Sequence, residues 1–309
     1  MTIGVATMAE NGMLVLAADR MLTRGVAQAE HSPKIYNWTD GHPVTVLWAG
    51  SAAVFGEVIQ MYLDRAKLMR QPASVNDVVN LYCQCFADYV SARAEREVLS
   101  RVGLSRADLV SSRVGDRRAD HLLDLMFGYC LDDNECVETI FAGHDGADAH
   151  IWRTYNSNSV CCDVEGFAAI GTGAENAIAH LSFGGYTRRS SVFAAIIAAF
   201  FAKRRAETAQ GVGRSIDVCI RTPNDQKFFA VPNPSPFVTA LDNAYDSYAA
   251  SEQKALGDAI SSATAAMQQQ LADNKSAPPP TAPADLGTQA LQPPEASTPE
   301  SSPPPPSPA

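Results

Sequence analysis

The first fifty residues alternate between apolar runs and short polar segments, as strands joined by tight turns do. Apolar runs occupy residues 3–8, 13–18 and 44–49, and Ala9-Glu10-Asn11-Gly12 separates the first two. Because Asn-Gly between two apolar runs is a strong hairpin signal, we expect the chain to open with an antiparallel β-hairpin. The third run leads through Gly50-Ser51 into a segment with helical spacing.

The remainder of the folded body contains paired helices and grouped strands. Helices are predicted over 53–69, after Pro72 with Ser74 or Asn76 as N-cap, after Gly173 and over 191–207, and strands over 137–142, 149–155, 167–170, 215–221 and 227–231. Residues 94–120 are charged and irregular, which indicates a helix-turn-helix excursion. The helix over 191–207 is apolar on nearly every face up to Lys203, so we expect it to be buried on all sides. This order predicts an α/β (α+β) fold of four layers, an αββα sandwich with two sheets inside and helices outside.

Composition changes near the C-terminus. Residues 276–309 hold 12 of the 19 prolines and only three acidic residues, and such a segment buries too little apolar area to offset its ordering entropy. Residues 240–273 are rich in Ala, Gln and Ser with weak helical spacing, which predicts one or two helices. We therefore expect a folded domain over 2–235, a helical extension over 236–275 and a disordered Pro-rich tail over 276–309.

Charge and composition exclude several classes of function. The chain has 309 residues and a formal net charge of −10, which argues against nucleic acid as a partner. No run of 18 apolar residues and no basic leader followed by an apolar stretch occurs, so we expect no membrane partner and a cytoplasmic location. The seven cysteines and six histidines include no C-x-x-C pair and no H-E-x-x-H motif, so we expect no disulfide framework, metal or cofactor.

The candidate chemistry begins at Thr2. A threonine hydroxyl is a poor nucleophile, but a threonine that becomes the chain terminus after Met1 is removed has its own α-amine as a base, with a reference pKa of about 7.7 to 8.0. Asp19 ends the second predicted strand, which the hairpin returns toward the first, while Lys34 and Gly50 add a cation and a backbone N–H. Such groups stabilise an alkoxide and an oxyanion, although each also has an ordinary structural interpretation.

Around these residues the sequence resembles the proteasome β-subunit family of N-terminal-nucleophile hydrolases. The resembling stretches are Thr2-Ile3-Gly4-Val5, Val15-Leu16-Ala17-Ala18-Asp19-Arg20, Lys34-Ile35, Trp48-Ala49-Gly50-Ser51-Ala52, Ala142-Gly143-His144-Asp145, Ala149-His150-Ile151-Trp152, Gly166-Phe167-Ala168-Ala169-Ile170-Gly171-Thr172-Gly173, and Ala202-Lys203 through Ala206-Glu207 to Gly211-Val212-Gly213. They keep the family's order over most of residues 2–222 and are most similar to the bacterial proteasome-like branch, which starts at Met-Thr without a propeptide. The resemblance implies the N-terminal-nucleophile hydrolase type of αββα sandwich.

The resemblance also implies a role for each matching residue. Thr2 is then the nucleophile and its amine the base, while Asp19 holds Lys34 and Lys34 lowers the energy of the Thr2 alkoxide. The N–H of Gly50 is the expected oxyanion donor. Three further polar residues match positions around the catalytic site. Thr172 stands where the family has Ser, Glu207 where it has Asp, and Gln210 where it has Ser.

Two more matches concern the substrate. Trp48 stands where the family shapes the pocket for the side chain before the cleaved bond, and Thr23 where it pairs with the substrate backbone, which implies a peptide bound in extended form. A Trp48 that points inward leaves room for small side chains only. A Trp48 that points into the sheet core has no bearing on specificity.

The sequence thus predicts a cytoplasmic threonine endopeptidase that hydrolyses peptide bonds through an acyl ester on Thr2. The resemblance implies a homo-oligomeric ring or spiral that acts on unfolded polypeptide or peptides. Because the sequence contains no P-loop, an ATPase unfoldase would be a separate partner. Two alternatives stay open: an N-terminal-nucleophile amidase for a small amide, and a catalytically silent assembly or scaffold subunit that acts through the extension and tail.

Overall fold

The computed structural model of the protein describes residues 3–24, 27–29, 33–37, 44–68, 74–111, 116–129, 131–132, 135–223, 228–231 and 235–276. The chain divides into a first unit, Met1–Ala250, and a second unit, Ser251–Ala309. The strands, in chain order, are β1 (Ile3–Met8), β2 (Leu14–Asp19), β3 (Leu22–Arg24), β4 (Ala27–Ala29), β5 (Ile35–Asn37), β6 (Val44–Gly50), β7 (Val137–Asp145), β8 (Asp148–Tyr155), β9 (Asn158–Cys161), β10 (Phe167–Gly171), β11 (Ile216–Arg221) and β12 (Phe228–Val231). The helices are α1 (Ala52–Leu68), α2 (Val75–Ala94), α3 (Arg106–Val110), α4 (Asp116–Phe127), α5 (Ala174–Phe183), α6 (Val192–Ala206) and α7 (Pro236–Ser276).

Two antiparallel five-stranded sheets form the centre of the first unit. The first has the order β10-β1-β2-β11-β12 and the second the order β5-β6-β7-β8-β9, while β3 and β4 form a separate ribbon. Buried side chains such as Leu16, Leu47 and Ile140 fill the space between the two sheets. Helices α5 and α6 cover the outer face of the first sheet, and α1 and α2 cover the outer face of the second. The predicted four-layer αββα sandwich is confirmed.

The opening hairpin determines where the end of β2 lies relative to the start of β1. Strands β1 and β2 pair from Gly4 opposite Ala18 to Met8 opposite Leu14. In the connecting turn Asn11 and Gly12 have φ of 58° and 67°, the left-handed region that Asn and Gly adopt most readily. The predicted hairpin is confirmed, and its register brings the end of β2 beside the start of β1.

Side chains along β2 alternate between the two faces of the first sheet. Leu14 and Leu16 face the other sheet, whereas Val15 and Ala17 belong to the core beneath α6. Because side chains alternate with a period of two, Asp19 extends the second set and points toward the α6 layer.

The structure differs from the sequence predictions in two respects. Helix α6 is not buried on all sides, because Phe193 and Ile197 on its outer face are 75% and 42% exposed. An apolar pattern does not tell whether a helix face is covered. The short strands β3, β4, β5 and β9 were not predicted, since three or four residues are too few to show an alternation.

The charged excursion after α2 is helical, as expected. Helix α2 continues through a π-helical turn, Glu95–Leu99, and a 3₁₀ turn, Ser100–Val102. Helices α3 and α4 follow, and Leu99 and Leu122 form a small buried cluster of their own. The segment therefore has a local core separate from the main layers.

Helix α7 is continuous where the sequence predicted one or two helices. In the first unit, Val238 and Leu241 pack against the α6 core. In the second unit, residues 251–269 are exposed. The tail predicted to be disordered lies outside the described residues from 277 onward, and the predicted domain boundaries stay predictions. None of the helices in the described ranges is both long and apolar enough to cross a membrane.

Candidate active site

Asp19, the last residue of β2, is fully buried and accepts hydrogen bonds from three directions. Its Oδ1 accepts from Lys34 Nζ at 2.7 Å and from the backbone N of Ile3 at 3.2 Å. Its Oδ2 accepts from the backbone N of Gly213 at 2.9 Å. A carboxylate removed from water needs such donors, so this arrangement fixes the Asp19 side chain in one orientation.

Lys34 lies immediately before β5 and is 1% exposed. Its carbonyl accepts from the backbone N of Trp48 at 3.3 Å, so the pairing of β5 with β6 fixes its position. Burial lowers the pKa of the Lys34 amine, and the charge of Asp19 opposes part of that effect. The two side chains form a buried ion pair directly beside the start of β1.

Gly50 ends β6 at the turn into α1. Its φ of +101° is in the region that favours glycine, and a Cβ there would lie 2.1 Å from the carbonyl oxygen of Cys136. The next residue, Ser51, donates its backbone N–H to that same oxygen at 3.0 Å. The strand-to-helix turn therefore requires glycine at this position.

The end of β10 meets the C-terminal end of α6. Gly171 pairs with Ile3, and Thr172 follows in an exposed turn. A Cβ on Gly173 would lie 2.5 Å from the Cβ of Ala206, so the absence of a side chain permits this close approach. The Thr172 turn thus lies against the helix end that carries Glu207.

Glu207 caps the C-terminus of α6. Its Oε1 accepts from Lys203 Nζ and from Arg204 Nη1, each at 2.5 Å. Gln210 is exposed in the turn that follows. Glu207 and Gln210 thus differ in environment, since two cations contact Glu207 and Gln210 faces solvent.

Four of the predicted site residues lie at one edge of the two sheets. Asp19 and Lys34 are in direct contact, and the ends of β6 and β10 bring Gly50 and Thr172 to the same edge. Thr2 lies outside the described residues. Thr23 lies in β3, whose side chains are not among those described.

Trp48 lies in the core between the second sheet and α1. It is 4% exposed and stacks on Phe55, with ring centroids 4.9 Å apart and planes 7° apart. This is the orientation into the sheet core, in which the indole presents little surface to a substrate. A role of Trp48 in substrate binding stays a prediction.

Sequence reasoning missed two charged residues of this region. Glu138 is on the inner face of β7 and its Oε2 accepts from the backbone N of Gly171 at 3.2 Å, which links the two sheets. The sequence signal for Glu138 was a charged residue on the same face of the strand as the apolar Ile140 and Ala142. Lys203 is fully buried, and burial lowers its pKa to about 8 against the opposing charge of Glu207. The sequence carried no local signal for this burial, because a lysine after an apolar stretch also fits a helix whose apolar face ends there.

Comparison with solved structures shows that the chain shares its fold with Anbu proteins. A mutant Anbu protein from Hyphomicrobium sp. strain MC1 has a TM-score of 0.57 and 15% sequence identity, over 82% of this chain and 97% of that chain. Anbu from Yersinia bercovieri, described as an ancestral beta-subunit, has a TM-score of 0.58 and 12% identity, over 82% and 96% of the two chains.

A third similar structure is the helical assembly of the Anbu complex from Pseudomonas aeruginosa, with a TM-score of 0.58 and 17% identity over 82% of this chain and 95% of that chain. No protein-family model and no curated protein matches the sequence. At these identities the comparisons show the fold, and the predicted bacterial branch without a propeptide stays a prediction.

Proposed function

We propose that the chain is a proteasome-like threonine peptidase whose nucleophile is Thr2, exposed by removal of Met1. The supporting observation is the buried Asp19 carboxylate, which holds Lys34 Nζ at 2.7 Å and the amide of Ile3 at 3.2 Å. Ile3 is joined covalently to Thr2, so this buried ion pair lies one residue from the proposed nucleophile. Perturbed charged groups concentrated in one place are typical of catalytic sites.

The proposed reaction has two stages. The neutral α-amine of Thr2 takes the proton of the Thr2 hydroxyl, and the alkoxide attacks the carbonyl carbon of the scissile amide. The Lys34 ammonium lowers the energy of the alkoxide, and the N–H of Gly50 stabilises the oxyanion. The protonated amine then donates its proton to the leaving nitrogen, which departs as an amine. Water, activated by the same amine, hydrolyses the acyl ester and restores Thr2.

The remaining proposed residues support this arrangement. Thr172, Glu207 and Gln210 surround the site at the ends of β10 and α6, and Thr23 pairs with an extended substrate. Because Trp48 points into the sheet core and stacks on Phe55, we propose that it has no bearing on substrate specificity.

The proposed partners are further copies of this chain and an unfolded polypeptide or peptide. The Pseudomonas aeruginosa protein of similar fold was solved as a helical assembly, which supports self-association into a ring or spiral. We propose a cytoplasmic location and, where an ATPase unfoldase takes part, a separate protein for that task.

The test is the intact mass of the purified protein before and after treatment with a β-lactone or epoxyketone probe. We expect loss of Met1 and one adduct that maps to Thr2. Thr2→Ala is expected to abolish both the adduct and amide hydrolysis, whereas Thr2→Ser is expected to keep the adduct. Thr239→Ala, which removes an exposed hydroxyl on α7, serves as the matched control and is expected to behave like the wild type.

Three results would contradict the proposal. Full amide hydrolysis by Thr2→Ala excludes Thr2 as the nucleophile. Retention of Met1 leaves Thr2 without a free α-amine and favours a scaffold subunit. Hydrolysis of small amides without hydrolysis of peptides keeps the nucleophile but replaces the peptidase with a small-amide amidase.

A further inference from the structure

The C-terminal end of α6 contains a charged side chain with no contact with solvent. Lys203 is 0% exposed, although lysine is almost never fully buried without partners. Its Nζ donates to Glu207 Oε1 at 2.5 Å, to the carbonyl oxygen of Gly213 at 2.6 Å and to that of Arg214 at 2.9 Å. An ammonium has three N–H donors, so all three are in use. We call Lys203 with these three acceptors the Lys203 network.

The Lys203 network fixes the residue that holds Asp19. The carbonyl of Gly213 accepts from Lys203, and the amide of Gly213 donates to Asp19 Oδ2 at 2.9 Å. Lys203 therefore holds Gly213 at its carbonyl, and Gly213 holds the Asp19 carboxylate through its amide. Its two hydrogen bonds connect α6 to the end of β2.

The other oxygen of Asp19 completes the connection to the proposed site. Oδ1 accepts from Lys34 Nζ and from the amide of Ile3. Rotation or displacement of the carboxylate alters both distances together, because both donors share that one oxygen. A shift of Gly213 would therefore reach Lys34 and the start of β1 through Asp19.

Stability alone is a weak reason for a lysine at this position. A buried charge pays a large desolvation cost, and replacing buried ion pairs with apolar side chains of similar volume is often neutral or stabilising. The positions before it on the same helix face, Ile196 and Phe200, are apolar and buried. A hydrophobic residue at 203 would continue that face but would remove the lysine donor from the carbonyl of Gly213 and from that of Arg214, to which Arg204 also donates.

We propose that Lys203 is a positioning residue that holds the loop at Gly213 and thereby sets the Asp19–Lys34 pair for the reaction at Thr2. This inference rests on the proposed function. It predicts that Lys203 affects the chemical step and not the binding of substrate, since none of its three acceptors belongs to a residue proposed to bind substrate.

The test compares Lys203→Met with Arg204→Met by the rate of probe labelling at Thr2. Arg204 is the matched control because it shares Glu207 and the carbonyl of Arg214 but has no hydrogen bond to Gly213. Labelling is resolved into kinact, the maximal rate of adduct formation, and KI, the half-saturating probe concentration. For Lys203→Met we expect kinact to fall between about 10-fold and 100-fold, the range that a misplacement of up to 1 Å costs, with KI within twofold of the wild type. For Arg204→Met we expect both constants within twofold of the wild type.

A folded Lys203→Met protein with wild-type kinact would overturn the inference, as would equal losses in kinact for both variants. A rise in KI with unchanged kinact would also overturn it, because that result assigns Lys203 to binding. If Lys203→Met does not fold, Lys203→Gln takes its place under the same criteria. A glutamine side chain is one bond shorter and has two N–H donors instead of three, so it does not reproduce the three hydrogen bonds of Lys203.

A second measurement separates this inference from the proposed function. Hydrogen exchange of the Gly213 amide is expected to be at least 10-fold faster in Lys203→Met than in the wild type, and unchanged in Arg204→Met. If the wild type is not labelled at Thr2, the proposed function fails, and the exchange rate still decides whether Lys203 holds Gly213. Unchanged exchange in Lys203→Met would overturn the inference even with an active enzyme.

Discussion

Replacing Asp19 with Asn removes one negative charge from the buried ion pair while keeping the size of the side chain. The carboxylate accepts from Lys34, Ile3 and Gly213, and all three donors point at its two oxygens. An Asn side chain has only one acceptor oxygen and directs N–H donors from the other position. Whichever way the amide is oriented, a donor then faces another donor, and the charge of Lys34 loses its buried counter-charge.

The magnitude follows from the burial of the pair. Lys34 and Asp19 side chains are 1% and 0% exposed, so solvent screens neither of them. Breaking a buried pair by removing one partner costs about 3 to 5 kcal/mol. For a domain of this size each kcal/mol corresponds to about 2 to 4 °C in Tm, so we expect Asp19→Asn to lower Tm by about 6 to 20 °C. We also expect the labelling of Thr2 to fall by at least about 100-fold, because Lys34 and the amide of Ile3 lose their fixed positions.

The assay is thermal unfolding followed by circular dichroism, together with the rate of probe labelling. The matched control is Asp217→Asn, which breaks an ion pair with Arg20 whose side chains are 37% and 16% exposed. A pair screened in this way is worth about 1 kcal/mol or less, so we expect a Tm shift of at most about 4 °C. Equal shifts for the two variants would refute the argument, because they would mean that the Asp19–Lys34 pair carries no penalty for a buried unpaired charge.

Two further predictions follow from single residues. Gly50→Ala is expected to lower the free energy of unfolding by about 1 to 3 kcal/mol or more and to slow probe labelling by about 100-fold or more, because a Cβ would lie 2.1 Å from the Cys136 carbonyl oxygen and the φ of +101° is strained for alanine. The control is Gly56→Ala in α1, where a Cβ meets nothing within 4 Å, and this variant is expected to unfold at or above the wild-type temperature. Equal effects of the two substitutions would contradict the argument. Lys203 has a pKa of about 8 in the folded protein, below its value of about 10.4 in the unfolded chain. Between these two pH values the unfolded chain binds more protons than the folded protein. The free energy of unfolding therefore rises as pH increases through this window. In urea unfolding, the stability of the wild type relative to Lys203→Met should therefore increase by up to about 3 kcal/mol between pH 7.5 and pH 10.5, and a difference that does not change with pH would contradict the lowered pKa.

Local pattern was sufficient to predict most of the fold. The Asn11-Gly12 turn and the apolar runs on either side of it specify the hairpin, whose register brings Asp19 level with Ile3. Asp19 and Lys34 were expected together because of the family resemblance, and their side chains are 2.7 Å apart. Their catalytic roles stay predictions, as do those of the other site residues.

Contacts between distant segments were not predictable from the sequence. Lys203 follows an apolar stretch of α6, and the pattern alone does not distinguish a lysine that ends the apolar face from one buried within it. Its partners Gly213 and Arg214 belong to the loop between α6 and β11, ten and eleven residues further along the chain. Glu138 was missed for a similar reason, since its partner Gly171 belongs to the other sheet.

The distribution of buried charge supports the position of the proposed site. Asp19, Lys34 and Lys203 are each at most 1% exposed. The hydrogen bonds of Gly213 connect Lys203 to Asp19, and Asp19 in turn accepts from Lys34. Apolar side chains would stabilise that edge at a lower desolvation cost, so stability does not explain why three charged groups are buried together. The proposed alkoxide on Thr2 would explain it, because a cation held in a fixed position and shielded from water stabilises developing charge far more than a solvated one. The same argument includes Lys203, because it holds Gly213, which in turn holds the Asp19 carboxylate that orients Lys34.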